Sequence, residues 1–450
     1  MSIHCHLSGR ILLALVSSMV LASCGGTGGD SGNESVDFNS TQPQQPVVSD
    51  DASLPVEVVR DIVATENVHP YRPNGPYAAV LKRCTLVNTV EDSCTMQTLP
   101  FIGHDSAVPD TDDILDRLLV THDWMGDRFA EVIQAAPELT VLFASVTSLI
   151  IGSEVRPSGF SSYFGNMLLD PNYLWQSVEE KLTVSIEEDY RSGFGDELSF
   201  ESRRAFTING EYAYRRGSLN DNLTREFEDV LLSTVRLLYH ELAHANDYFP
   251  PTVIAEFDRN LQVLPAFDQS GSKRQSWQLE ALYPLNDNLL HSLQGVSSSG
   301  DDATEEEKLL TAAEVGQLFS EDGAASYYGY RNGREDFAVL FATTMMKLAH
   351  GVQTNVGFVD KIDGEPRYCD YLTAWGVRNR LANPVVAQRA QWVVTKIYGE
   401  NEEFNQFMLN DLGVEETMIA GVGWCANIRP ESVGIDGGYD LGSVARELGE

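Results

Sequence analysis

His240 and His244 stand four residues apart with Glu241 between them, in the segment His240-Glu241-Leu242-Ala243-His244. At about 3.6 residues per turn, a helix stacks both imidazoles on one face. Two ring nitrogens at that spacing can grip one Zn2+. Glu241 follows His240 directly, so its carboxylate projects beside the same site and can take a proton from an attacking water. Zinc would bring the pKa of that water towards about 7 and polarise a scissile carbonyl. Leu237, Leu238, Leu242, Ala243 and Ala245 are uncharged, as a helix buried beneath a metal requires.

Two histidines do not finish a zinc site, which needs a third protein ligand and an open position. A His-x-x-Gly-x-x-His continuation is absent, because Asp247 and Pro250 stand where its glycine and third histidine would be. That argues against the metzincin class, and the Gly-Thr-x-x-Asp pattern of aspzincins does not follow either. What does follow is a run from Tyr328 to Ala342 in which Glu335 opens a helix with Phe337, Ala338 and Phe341 on its buried face. A carboxylate at Glu335 would give a His2Glu set of net charge +1 and keep the metal Lewis-acidic. Asp336 and the many other acids are alternatives. Tyr328 could donate a hydrogen bond to a developing oxyanion, or simply pack beside Tyr327 and Tyr330.

Together the two segments resemble the gluzincins, most nearly the catalytic domain of the anthrax lethal factor type. In that family a glutamate in a Glu-Phe-Phe-Ala-x-x-Phe context on a separate helix follows His-Glu-x-x-His, and a tyrosine seven residues before it points at the metal. The resemblance implies zinc held by His240, His244 and Glu335, Glu241 as the catalytic base, and Tyr328 as the assisting phenol. His244-Ala245-Asn246-Asp247 is similar to the family's His-Ala-x-Asp continuation, which implies that Asp247 orients a ligand histidine. It further implies an α+β fold with a zincin-like catalytic domain, a mixed sheet and an active-site helix. The activity implied is zinc-dependent endopeptidase activity on a peptide or protein substrate. The resemblance covers roughly 10–15 residues in each segment. It departs at Asp336, which replaces an aromatic, and in the 91 residues from His244 to Glu335.

The elements that must position these residues are legible in part. A helix from about Leu223 to Asp247 is expected, capped from Asn220-Asp221-Asn222 and stopped by Pro250-Pro251. A second runs from about Arg334 to His350, and others cover Asp123–Ala135, Glu138–Val146 and Pro384–Tyr398. Ile114, Leu115, Leu118 and Leu119 fit one helical face. Strands are expected at Ser148–Ile151, Tyr163–Pro171 with the proline as its stop, Leu182–Ile186 and Ala205–Tyr214, the last turning at Asn209-Gly210. Ser162–Leu169 is the candidate edge strand for pairing with a substrate, with an internal strand as the alternative. Residues 56–135 read as an N-terminal cap and 136–430 as the zincin-like domain. Within it, residues 250–325 are a helical insertion with a surface loop from Ser297 to Lys308. Residues 431–450 form a loose tail.

The first residues read as a processing segment. Arg10 precedes an apolar run from Ile11 to Ala22, too short for a mature membrane span, and then Leu21-Ala22-Ser23-Cys24. That tetrapeptide resembles a bacterial lipobox, which implies lipidation at Cys24, loss of residues 1–23 and anchoring in the bacterial cell envelope, with the outer membrane preferred. Residues 24–55 read as a disordered tether. Four further cysteines remain, an even number suited to disulfides in an exported chain. Three connectivities are possible, and Cys84–Cys94 with Cys369–Cys425 is the most local. A net charge of −35 repels phosphate backbones and makes nucleic acid a poor partner. His104, His122, His291 and the Ser297–Gly300 run lack partners at catalytic spacing, and His350 suits a helix C-terminus. A catalytically silent zincin-fold envelope binding protein, and a scaffold whose pentapeptide is accidental, are the rival readings.

Overall fold

Two sheets and many helices form the fold. A computed structural model describes residues 59–215, 217–364 and 366–429. The expected signal segment, Cys24, the tether and the tail lie outside the described residues. All described residues fall in one unit, Ala52–Glu450. The class is α+β.

The first sheet has strand order β1-β2-β3-β5-β4, with β1 at His69–Pro70, β2 at Leu118–Val120, β3 at Ser148–Ile151, β4 at Gly159–Ser161 and β5 at Asn166–Leu169. β2 and β5 flank β3 in parallel, while β1 and β4 pair antiparallel at the two edges. Every residue of β3 is buried, as a strand with parallel neighbours on both sides requires. The second sheet is antiparallel, in the order β10-β9-β8-β6-β7. Its strands are β6 at Phe200–Ile208, β7 at Glu211–Tyr212, β8 at Gln353–Asp360, β9 at Thr373–Arg378 and β10 at Glu416–Thr417. β6 and β7 turn at Asn209-Gly210, whose φ values of 52° and 83° suit a tight hairpin.

In chain order, the helices that matter for the site are α1 (Asp123–Ala135), α2 (Phe227–Tyr248), α3 (Gln275–Leu282), α4 (Asn288–Ser299), α5 (Ala312–Glu321), α6 (Gly333–His350) and α7 (Pro384–Tyr398). α6 packs against α2 and α7 and is buried continuously from Asp336 to Met346. A helix apolar on all sides belongs in a core. It ends at Gly351, whose φ of 66° is the left-handed C-terminal geometry glycine adopts freely. Both expected disulfides form, Cys84–Cys94 and Cys369–Cys425. The second closes a 56-residue separation against ten for the first. By loop entropy its removal should cost about 4 kcal/mol, against about 3 kcal/mol for the first, read as the shift in denaturant midpoint of each Cys→Ala pair.

Several expectations need correction. Helix from Asp112 onward stops at Leu115, and Leu118–Val120 is strand β2. Its three residues are fully buried, and a short apolar run has no period that separates strand from helix. Because β2 pairs with β3, the expected boundary between a cap at 56–135 and a domain from 136 cuts through one sheet. Glu138–Val146 is 3-10 helix from Pro137 to Ser145. Leu182–Ile186 forms no strand. The expected surface loop at Ser297–Lys308 begins inside α4, and it buries Ser298, Ala303 and Glu307. Among the described residues no helix is long and apolar enough to cross a membrane.

Candidate metal centre

α2 supplies His240, Glu241 and His244. Leu237, Leu238, Leu242, Ala243 and Ala245 are at most 2% exposed and fix the depth of this helix. α6 supplies Glu335 from its first turn. Asn332 caps that turn, its side-chain oxygen accepting from the amides of Arg334 at 3.0 Å and Glu335 at 3.1 Å. Tyr328 stands in the preceding 3-10 turn, Tyr327–Arg331.

His240 Nε2, His244 Nε2 and Glu335 Oε2 form a triangle with all three sides 3.2 Å. Ligand atoms in a tetrahedral site with bonds of about 2.0–2.1 Å lie about 3.3–3.4 Å apart. The triangle thus has the size of one tetrahedral face. Hydrogen bonding alone does not satisfy it. If both imidazoles donate to the carboxylate, their N–H groups face each other, and if one loses its proton, one side of the triangle has no hydrogen. A cation shared by three lone pairs satisfies every side. Burial alone would raise the Glu335 carboxyl. The charge on His244 and hydrogen bonds from both imidazoles reverse this and hold it well below the usual carboxylate range.

The triangle opens on a cleft of about 480 Å3, which Glu241 and Tyr328 also line. No protein-family model, curated protein or solved structure matches this chain. The chemistry of the cleft therefore rests on its own residues. Five of the expected site residues, His240, Glu241, His244, Tyr328 and Glu335, meet in it. Tyr328 lies with its ring 6.3 Å from that of His240, and its hydroxyl accepts from Arg331 at 2.5 Å.

Asp247 is not on the cleft. It is fully buried, and its Oδ1 accepts from the amide of Ser276 at 2.6 Å, at the start of α3. That bond ties the end of α2 to α3, and Asp247 also interacts electrostatically with His244, though no hydrogen bond between them is shown. Asp336, the alternative ligand, points away from the triangle into a buried ion pair with Arg389 of α7. That pairing explains why an acid stands where an aromatic was expected.

The expected substrate strand also needs correction. Asn166–Leu169 is interior, held between β3 and β4, while the edge strand is β4, Gly159–Ser161. β4 packs on α2, and Gly159 and Phe160 line the cleft. A Cβ built on Gly159 meets nothing within 4 Å. Three residues with no apolar alternation carry too little signal for a strand to be read from sequence.

His104, His122 and His291 bond to the scaffold. His104 Nε2 meets the carbonyl of Ile254 at 2.7 Å, and His291 Nδ1 meets that of Tyr330 at 2.6 Å. His122 touches Ser153 Oγ at 3.3 Å and Asp61 at 3.5 Å, and Ser153 is buried. Sequence reasoning missed Arg331 and Arg334, which line the cleft and both precede Glu335 in the chain. Their signal was spacing from a candidate ligand, at four and one residues before Glu335.

Proposed function

We propose that this chain is a zinc-dependent peptidase with a zincin-like site, in which His240, His244 and Glu335 hold the metal. The observation that carries the reading is the triangle of donor atoms at the floor of an open cleft. Two imidazoles and one carboxylate suit zinc, which takes three protein ligands at a hydrolytic site and keeps the fourth position open. Bound there, zinc would lower the pKa of a water and polarise a peptide carbonyl.

The chain's own groups then have distinct tasks. Glu241 takes the proton of the attacking water on its carboxylate and returns it to the leaving amine. The Tyr328 hydroxyl, accepting from Arg331, keeps its own proton to donate to the oxyanion. β4 offers an extended substrate an edge to pair with. Intact Glu241 on the cleft favours hydrolysis over the silent binding protein, because a structural metal has no use for a base. The proposed setting is the cell envelope, on a lipid anchor at Cys24.

Tyr328→Phe should lower kcat by about 10²-fold while leaving zinc content near the wild-type value. Steady-state cleavage of a quenched fluorescent peptide library checks this, and unchanged kcat would remove the phenol from the mechanism. The reading as a whole is tested on the same library with zinc-loaded and chelated protein. It stands if cleavage requires zinc and falls if the loaded protein cleaves nothing.

A further inference from the structure

The chain has 66 acidic residues against 31 lysines and arginines, so a buried or half-buried arginine here ordinarily finds a carboxylate. Arg117 pairs with Asp105, Arg156 with Asp170, Arg380 with Glu415 and Arg389 with Asp336. The two arginines beside Glu335 form no such salt bridge, although Glu335 and the Tyr190 phenol also act on the charge of Arg331. Arg331 donates to the phenol of Tyr328 at 2.5 Å, and Arg334 donates to the phenol of Tyr248 at 3.4 Å. Arg274, at the start of α3, donates to the same Tyr248 oxygen at 3.2 Å. Among the described residues neither Arg331 nor Arg334 forms a salt bridge, and both face the cleft.

A phenol positions a guanidinium without neutralising it. Each side chain has five N–H donors in a fixed fork, and one phenol takes only one or two of them. The charges around the metal sharpen the point. A dication on His240, His244 and Glu335, with Glu241 ionised, leaves that group near neutral. Arg331 and Arg334 then give this wall of the cleft an excess of positive charge. Two forked cations held side by side on the cleft are complementary to an anion that enters it.

We propose that Arg331 and Arg334 bind a carboxylate of the substrate, so that the cleft selects acidic peptides within an otherwise strongly acidic protein. The inference rests on the peptidase reading above. The carboxylate has two possible sources, an Asp or Glu side chain near the scissile bond or the α-carboxylate of a substrate's C-terminus. The chemistry of recognition is the same for both: charge-assisted, forked hydrogen bonds from guanidinium to carboxylate.

The test uses zinc-loaded full-length chain carrying Glu241→Gln, which retains bound peptide uncleaved, and the wild type in parallel. Peptides are matched in sets that differ by Glu against Gln at each position around one bond, each with a free and an amidated C-terminus. Binding is read by fluorescence anisotropy and cleavage by mass spectrometry. The expected result is about 10- to 100-fold tighter binding of the carboxylate-bearing member of a pair. Arg331→Gln and Arg334→Gln, each added to Glu241→Gln, should bring that ratio towards one, and Arg334→Lys should keep part of it. A preference that follows Glu assigns the side-chain source, and one that follows the free terminus assigns the α-carboxylate. Equal affinity for acid and amide, or a preference that survives both Gln variants with zinc still bound, overturns the inference while leaving the peptidase reading intact. Discrimination in binding with no cleavage by wild type overturns the peptidase reading instead, and no binding with no cleavage overturns both.

Discussion

Glu241→Gln is expected to lower the rate of peptide hydrolysis by about 10²–10⁴-fold while the protein keeps its zinc. The two halves of that result separate roles. Glu241 is buried to 4% exposure on α2 and lines the cleft, yet it is not among the three atoms of the triangle. Its amide replacement is nearly isosteric, so the helix and the ligands should remain in place. What is lost is a group that accepts a proton, and the loss should appear in kcat with little change in KM. The measurement is single-turnover cleavage alongside zinc content. Activity within a few-fold of wild type would remove Glu241 from the chemistry.

The second large effect concerns stability. Asp336→Ala is expected to destabilise the fold by about 3–5 kcal/mol, because it leaves the Arg389 guanidinium buried without its counter-charge. Asp336 and Arg389 are 3% and 2% exposed. Arg389 also donates to the carbonyls of Tyr283 at 3.1 Å and Gly323 at 2.8 Å. It therefore joins α6, α7 and the end of α3. Replacing both partners, Asp336→Leu with Arg389→Met, should recover only part of the loss, since those two carbonyls would lose their donor. Asp336 adjoins Glu335, so loosening this joint should also weaken metal binding. Denaturant unfolding of chelated protein measures the first effect, and zinc competition measures the second. A shift below about 1 kcal/mol would contradict the burial of the pair.

The sequence was informative where periods are long and punctuation is strong. α1, β3 and α7 have the expected bounds, and α2 and α6 lie within a few residues of theirs, because prolines and a glycine bracket extended helical patterns; the cap expected from Asn220-Asp221-Asn222 is not formed, since α2 starts at Phe227 after Glu226, which makes no side-chain cap. The candidate ligands on α2 were legible from spacing alone, since four residues is about one helical turn. Glu335 was reachable only through the aromatic and alanine residues after it, for nothing in a chain reveals that residues 95 apart will meet. Short elements were not legible. β2 and β4 have three residues each, and their identity depends on which neighbour supplies the hydrogen bonds. Arg331 and Arg334 look like solvated charges in a linear reading. Only the fold reveals that their partners are phenols and that they share a cleft with the candidate ligands.

The most direct test is the zinc content of purified full-length protein by inductively coupled plasma mass spectrometry, for wild type and for Glu335→Ala, after dialysis against a weak chelator. The expected result is one zinc per wild-type chain and a loss of zinc in the variant at unchanged helix content by circular dichroism. A wild-type chain that holds no zinc, or a Glu335→Ala chain that holds it as tightly, would contradict a metal centre built from His240, His244 and Glu335.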